Sequence, residues 1–320
     1  MKGCIDAVFF LFAIGIASGQ MPGQRPLAAF ASGKSVFLVS SSGEVDSTIK
    51  LPVKVGEFSF SPDLKKLVVI TPHPDESGGK MYLYSLESKQ LQRIPDHSLG
   101  SQSDRAEVYS EPQFSEDGAK LFFNTHPQAK GDLAETNGPI AEVDIKSLRA
   151  KAVESTRGVI TGGFLLSPDR LNFLLWDEEK VVDTNGATLF NLHDFKIEEP
   201  FKWALDDARI GNGCVLYRAG KSSTPRIKGE TSYFVLNLKS LSSASASKVV
   251  GLSDKELEGV VSYRFPYAIV KSTQELTGDL GSGYFLITPG GTRTKLTSAK
   301  AEVVQILPHK LPEDLPTQCR

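Results

Sequence analysis

The sequence predicts an all-β protein: a single β-propeller of six four-stranded blades, closed by strands from both ends of the chain, with seven blades as the alternative count. Three observations predict it. Short runs rich in Val, Ile, Leu, Phe and Tyr alternate with Gly, Pro, Asp and Ser clusters, and nothing sustains a helical period. One turn motif recurs at even spacing. A lone strand stands near the C-terminus, with no partner beside it in sequence.

The turn motif is Ser61-Pro-Asp63, then Ser115-Glu-Asp117, then Ser167-Pro-Asp169. Each copy follows an aromatic or Leu strand and precedes another apolar strand. The Asp-to-Asp intervals are 54 and 52 residues. Trp203-Ala-Leu-Asp206 is a weaker fourth copy. Pro or Glu-Asp suits a type I turn, so each copy reads as a hairpin. Two more strands follow the first hairpins, at 81–86 and 90–94, and again at 141–145 and 150–153. Four antiparallel strands at this repeat length describe a propeller blade.

Blades two to six fall at 56–94, 110–153, 161–193, 201–250 and 259–297. Three strands remain at the front, 27–31, 35–39 and 45–51, and one at the end, 301–307. Three plus one completes the ring and removes exposed edges. A split of the long fifth segment would give seven blades. The only helical candidate after the leader is one turn at Ser253-Asp-Lys-Glu-Leu-Glu258, with Ser as cap.

The N-terminus reads as a signal peptide, residues 1–19: Lys2, an apolar run over 8–16, then Ala17-Ser-Gly19. Cleavage is expected near Gly19-Gln20, leaving a propeller over 20–310 and a tail over 311–320. The chain is then exported, periplasmic or secreted. No later segment is apolar enough to span a membrane. Cys214 and Cys319 remain after cleavage, and in an oxidising compartment such a pair invites a disulfide. Net charge is -2 and the pI about 6.3, which argues against nucleic acid and anionic lipid as general partners.

A Ser-Pro-Asp turn between two apolar strands, then a short strand ending in polar residues, resembles the WD40-like repeat of TolB-type propellers (the PD40 pattern). The resemblance covers blades two to four. Asp63-Leu64 and Asp169-Arg170 replace the family's Asp-Gly, and Ser115-Glu-Asp-Gly118 lacks the Pro. It implies a fold and carries no activity with it.

His73 and His126 are the candidate metal ligands, 10 and 9 residues after Asp63 and Asp117, with Asp75 and Glu76 beside His73. Both are expected in loops after the second strand of their blades. Oligogalacturonate lyases, propellers resembling this repeat family, bind a metal through His on such loops. Serine hydrolase chemistry lacks its G-x-S-x-G string, and Gly278-Asp-Leu-Gly-Ser-Gly283 lacks the Lys and helix of a phosphate loop.

Loops are the expected functional surface. The segment 218–228 is basic, with Lys221, Arg226 and Lys228, and 95–111 carries Asp96, Asp104, Glu107 and Glu111. The serine-rich run 242–247 is expected to be a flexible connection. The function expected is a non-catalytic scaffold that binds a protein or carbohydrate partner and needs no cofactor. The alternative is a metal-assisted polysaccharide lyase or hydrolase using the loop histidines. Sequence assigns no oligomeric state.

Overall fold

The computed structural model describes residues 25–72, 79–95, 108–126, 140–153, 252–253, 256–257, 259–264, 266–272, 281–288, 291–297, 301 and 303–308, together with the strands named below between 164 and 245. Among the described residues the strands pair into six four-stranded antiparallel sheets. Sheet one joins β1 (Ala28–Ser32), β2 (Ser35–Val39) and β3 (Val45–Lys50) to the last strand, β24 (Val303–Ile306). The register of that join runs from Ala28 opposite Ile306 to Ala31 opposite Val303.

The other sheets are consecutive in sequence. Sheet two is β4 (Glu57–Phe60), β5 (Lys66–Ile70), β6 (Met81–Ser85) and β7 (Leu91–Arg93). Sheet three is β8 (Val108–Phe114), β9 (Lys120–His126), β10 (Ile140–Asp144) and β11 (Ala150–Ala152). Sheet four is β12 (Phe164–Leu166), β13 (Phe173–Asp177), β14 (Lys180–Val182) and β15 (Thr188–Asn191). Sheet five is β16 (Arg209–Gly211), β17 (Cys214–Ala219), β18 (Ser232–Asn237) and β19 (Ser242–Ser245). Sheet six is β20 (Val260–Arg264), β21 (Tyr267–Ser272), β22 (Gly283–Ile287) and β23 (Arg293–Thr297).

Sheets one and two bury both faces of their inner strands, which is why those strands are apolar on both sides. One face of sheet one packs Ala29, Ala31, Val36 and Leu38 against Phe58, Phe60, Leu67 and Val69 of sheet two. Its other face packs Ala28, Phe30 and Val39 against Ile269, Tyr284, Leu286 and Leu296 of sheet six. The far face of sheet two packs Val68, Ile70 and Met81 against Phe114, Leu121, Phe123 and Val143 of sheet three. Each fully buried Leu, Ile or Phe contributes about 1.5–3 kcal/mol. The seam between sheets one and six is tight at Gly43, whose φ is +84°. A Cβ there would lie 2.6 Å from Thr294 Cγ2 and 2.8 Å from the Lys295 carbonyl oxygen.

The repeated motif folds identically in its first two copies. Ser61 Oγ donates to Asp63 Oδ1 at 2.6 Å and accepts from Lys66 N at 2.9 Å, while Lys65 N donates to the same Asp63 oxygen at 3.0 Å. Ser115 Oγ donates to Asp117 Oδ1 at 2.6 Å and accepts from Lys120 N at 2.9 Å, and Ala119 N donates to Asp117 Oδ1 at 2.9 Å. The residue after each Asp is left-handed, Leu64 at φ 59° and Gly118 at φ 66°. The third copy lies outside the described residues.

A second repeat joins the last two strands of sheets two and three. Ser85 N donates to the Gln90 carbonyl, and Asp144 N donates to that of Arg149. Ser85 Oγ accepts from Ser88 N as Asp144 Oδ1 accepts from Ser147 N. Leu86 N and Ile145 N then bind the carbonyls of Lys65 and Ala119, docking each outer turn on the inner one.

Three expectations are corrected. The serine-rich run is not a loose connection over 242–245: it is β19, paired with β18 from Asn237 opposite Ser242 to Phe234 opposite Ser245. Ladder bonds use the backbone, so an outer strand tolerates small polar residues. Glu111 lies in β8, at a register shift between Ser110 and Gln113, and not in a loop. Arg218 lies in β17 opposite Tyr233.

The helical turn expected near Ser253 is present at 256–257. Ser253 Oγ accepts from Glu256 N at 3.3 Å, and Glu256 Oε2 accepts from Ser253 N at 2.9 Å, a reciprocal capping box.

Candidate binding rim

Antiparallel pairing sorts the connections onto two ends. The Ser-x-Asp turns and the outer turns at 85–90 and 144–149 share one end. The links from β5 to β6, β9 to β10, β17 to β18 and β21 to β22 emerge at the other, the loop end. All the sequence-predicted loop candidates belong to the loop end.

Most of them, His73, Asp75, Lys221, Arg226 and Lys228, lie outside the described residues, as does Cys319 of the expected disulfide pair. What is described is the base that carries them. Thr71 N donates to the Lys80 carbonyl at 2.9 Å, and Lys80 N donates to Thr71 Oγ1 at 2.8 Å. Gly79 closes this base, because a Cβ there would collide with the Thr71 carbonyl oxygen. The segment holding His73 and Asp75 thus leaves the sheet between two pinned residues. Cys214 opens β17, opposite Gly211 on one side and Asn237 on the other.

His126 is the last residue of β9, paired with Val108, and so belongs to a strand where a loop was expected. Lys66 and Lys120 make the same bond to their turn serines, which aligns the two sheets. Counted from those lysines, His73 is seven residues on and His126 six. His126 therefore stands at the position of Pro72, and His73 at that of Pro127. Among the described residues no group of three or more His, Cys, Asp or Glu could hold a metal ion.

Sequence reasoning passed over Asn124 and Thr125, 2% and 1% exposed at the loop end of β9. They align with Ile70 and Thr71 of sheet two. The signal was present: two polar residues finish an otherwise apolar strand, and buried polar groups fix geometry.

The turn end has a different electrostatic character. Burial works against ionisation of Asp63, yet the bonds from Ser61 and Lys65 N hold its carboxyl below the ordinary range. The Ser115 hydroxyl and Ala119 N do the same for Asp117. Glu256 is buried too, but Arg293 at 2.6 Å and the Ser253 bonds draw its pKa to about 2. These carboxylates are held as structural anions, with no basic form poised to accept a proton near neutrality. Tyr263 is the exception among polar groups. It is 3% exposed, its hydroxyl has no partner among the described residues, and burial pushes its pKa up.

Among the described residues no helix is long and apolar enough to cross a membrane. No family model and no curated protein matches the chain. Solved structures do. TolB from Acinetobacter baumannii aligns over 89% of this chain and 67% of its own, with TM-score 0.53 and 11% identity. A chain of the nidogen/laminin complex aligns over 88% of this chain and 98% of its own, with TM-score 0.50 and 9% identity. An oligogalacturonate lyase from Vibrio parahaemolyticus aligns at TM-score 0.45 and 10% identity, over 85% of this chain and 79% of its own, too distant for its chemistry to transfer. At these identities the likeness is one of fold: the chain is similar to TolB and to other WD40-like β-propeller proteins.

Proposed function

We propose that the chain is an exported six-bladed propeller that binds a protein partner through its loop end and performs no covalent chemistry. The six sheets are the blades, and β24 closes the ring by completing the first of them. One observation carries the functional reading: the two ends use their polar residues differently. At the turn end, Ser61, Asp63, Ser115 and Asp117 are committed to one another and to the backbone. At the loop end, the connections carrying Lys221, Arg226, Lys228 and Asp75 are long, charged and of opposite sign, which suits complementary recognition of a protein surface. Export rests on the leader at residues 1–19.

The test is capture of envelope proteins by the purified chain, with 73–78 and 220–228 replaced by Gly-Ser segments of equal length in a control. The wild type is expected to retain a stoichiometric partner that the control releases. Equal capture by both proteins would overturn the loop-end assignment, and metal-dependent turnover of a polysaccharide would overturn the non-catalytic one. Mass analysis of exported protein is expected to begin at Gln20.

A further inference from the structure

Aligning sheets two and three by their turns superposes a polar cluster on a gap. In sheet three, Lys120, Glu142 and Lys151 lie on neighbouring strands, with Glu142 opposite Phe122 and Lys151. Glu142 is 15% exposed and binds both lysines, Lys120 at 3.1 Å and Lys151 at 3.6 Å. The same register in sheet two holds Lys66, Leu83 and Gln92, with Leu83 opposite Val68 and Gln92. The first lysine is kept and the carboxylate is replaced by leucine.

The same face of sheet two carries an open concavity of about 430 Å³, lined by Lys66, Leu83, Ser85, Ser88, Gln90, Leu91 and Gln92. Lys66 is half-buried there and forms no ion pair among the described residues. The nearby carboxylates make their bonds elsewhere: Asp63 feels the Lys66 charge but accepts from Ser61 and Lys65 N, and Glu87 pairs with Lys65 at 2.9 Å. The partly buried leucines supply an apolar wall, and Gln90, Gln92 and Ser88 supply donors and acceptors.

We propose that this concavity receives a glutamate or aspartate side chain presented on an extended segment of a protein partner. Sheet three carries the required carboxylate itself, as Glu142, while sheet two leaves it to be supplied from outside. An open site does not enclose a small molecule well, since such ligands need most of their surface covered. A peptide segment lying along the outer strand β7 meets the same lysine without enclosure. The site is at the turn end, so it stands or falls independently of the loop-end function.

The test is an NMR titration of the purified chain with the capped tripeptide acetyl-Val-Glu-Val-amide and its Gln counterpart. The Glu peptide is expected to shift the amides of Leu83, Gln90 and Gln92 saturably, in the millimolar range. The Gln peptide, and the Glu peptide on Lys66→Gln, are each expected to bind at least about fivefold more weakly, because the charge-assisted bond is gone. Leu83→Glu, which rebuilds the sheet-three pair, is expected to abolish binding. Melting temperatures establish that each variant is folded, and Lys66→Gln suffices should Leu83→Glu unfold. Equal response to the two peptides, indifference to Lys66→Gln, or no saturable shift would overturn the proposal.

Discussion

The turn end and the loop end of the sheets are made from the same strands and differ in what their polar side chains do. At the turn end, serine and aspartate bind backbone groups within five residues of themselves. Those bonds stabilise the hairpin and occupy the serine and aspartate side chains. At the loop end, Thr71 and Lys80 pin the base of one long connection to each other. The Ser-x-Asp turns are thus fixed by side chains, while the proposed loop-end recognition would rest on the longer connections.

The comparison breaks most readily at Ser115. It is 8% exposed and its hydroxyl meets Asp117, Lys120 N and the Lys120 carbonyl. Ser115→Ala is expected to cost about 1–2 kcal/mol, because three part-buried hydrogen bonds are lost together. Urea unfolding measures it, and a loss near zero would show that the turns do not carry stability.

Tyr263 sharpens the contrast from the other side. It occupies the place of Phe60 and Phe114 before an inner turn, and its hydroxyl is buried without a partner among the described residues. Tyr263→Phe is expected to raise stability by about 1 kcal/mol in the same assay. A loss instead would mean that the hydroxyl holds a structural water.

Glu256 gives a pH test of comparable or smaller size. Its folded pKa, about 2, is below the ordinary 4.5, so its contribution is full above the ordinary value and lost as pH falls toward 2. Wild type is expected to exceed Glu256→Gln in stability by about 1 kcal/mol near neutrality, discounted because the Arg293 side chain is 37% exposed. The gap should close between about pH 5 and pH 2. Thermal melts of both proteins across that range check it; a constant gap would assign the effect to capping alone.

The smallest stability effect is expected at the loop end. Exchange of 73–78 for a Gly-Ser segment of equal length should change unfolding free energy by less than about 1 kcal/mol, since loop length is kept and only the loop's own entropy changes. The same exchange should remove partner binding. A large stability loss would make that segment part of the core.

Much of the architecture was legible because the inner turn is spelled in side chains. Ser, a second residue and Asp recur before apolar strands, and the hydrogen bonds explain why those residue types are needed. The outer turns were not noticed, although they repeat equally well. Lys89 and Leu148 adopt φ 55° and 53° without glycine, so the usual sign of a left-handed residue is missing. Ser242–Ser245 was hidden for a similar reason, since an outer strand is specified by its neighbour's backbone more than by its own composition. For the candidate site, residue identity was legible and position was not. The two His-Pro pairs are one residue out of phase already in sequence, and the lysine bonds that align the sheets show that no bulge in the turns compensates for it.

By itself the sequence determined the β-rich repeat, the hairpin chemistry and the pairing capacity of each strand, because these depend on local turn bonds and apolar content. Tertiary structure decided the rest. Only the register between strands shows that Glu142 answers Lys120 while Leu83 stands at the same place beside Lys66, and only the structure fixes the register of the expected β24–β1 join, Ala28 opposite Ile306. Those contacts link residues far apart in sequence, and no local pattern encodes their distance.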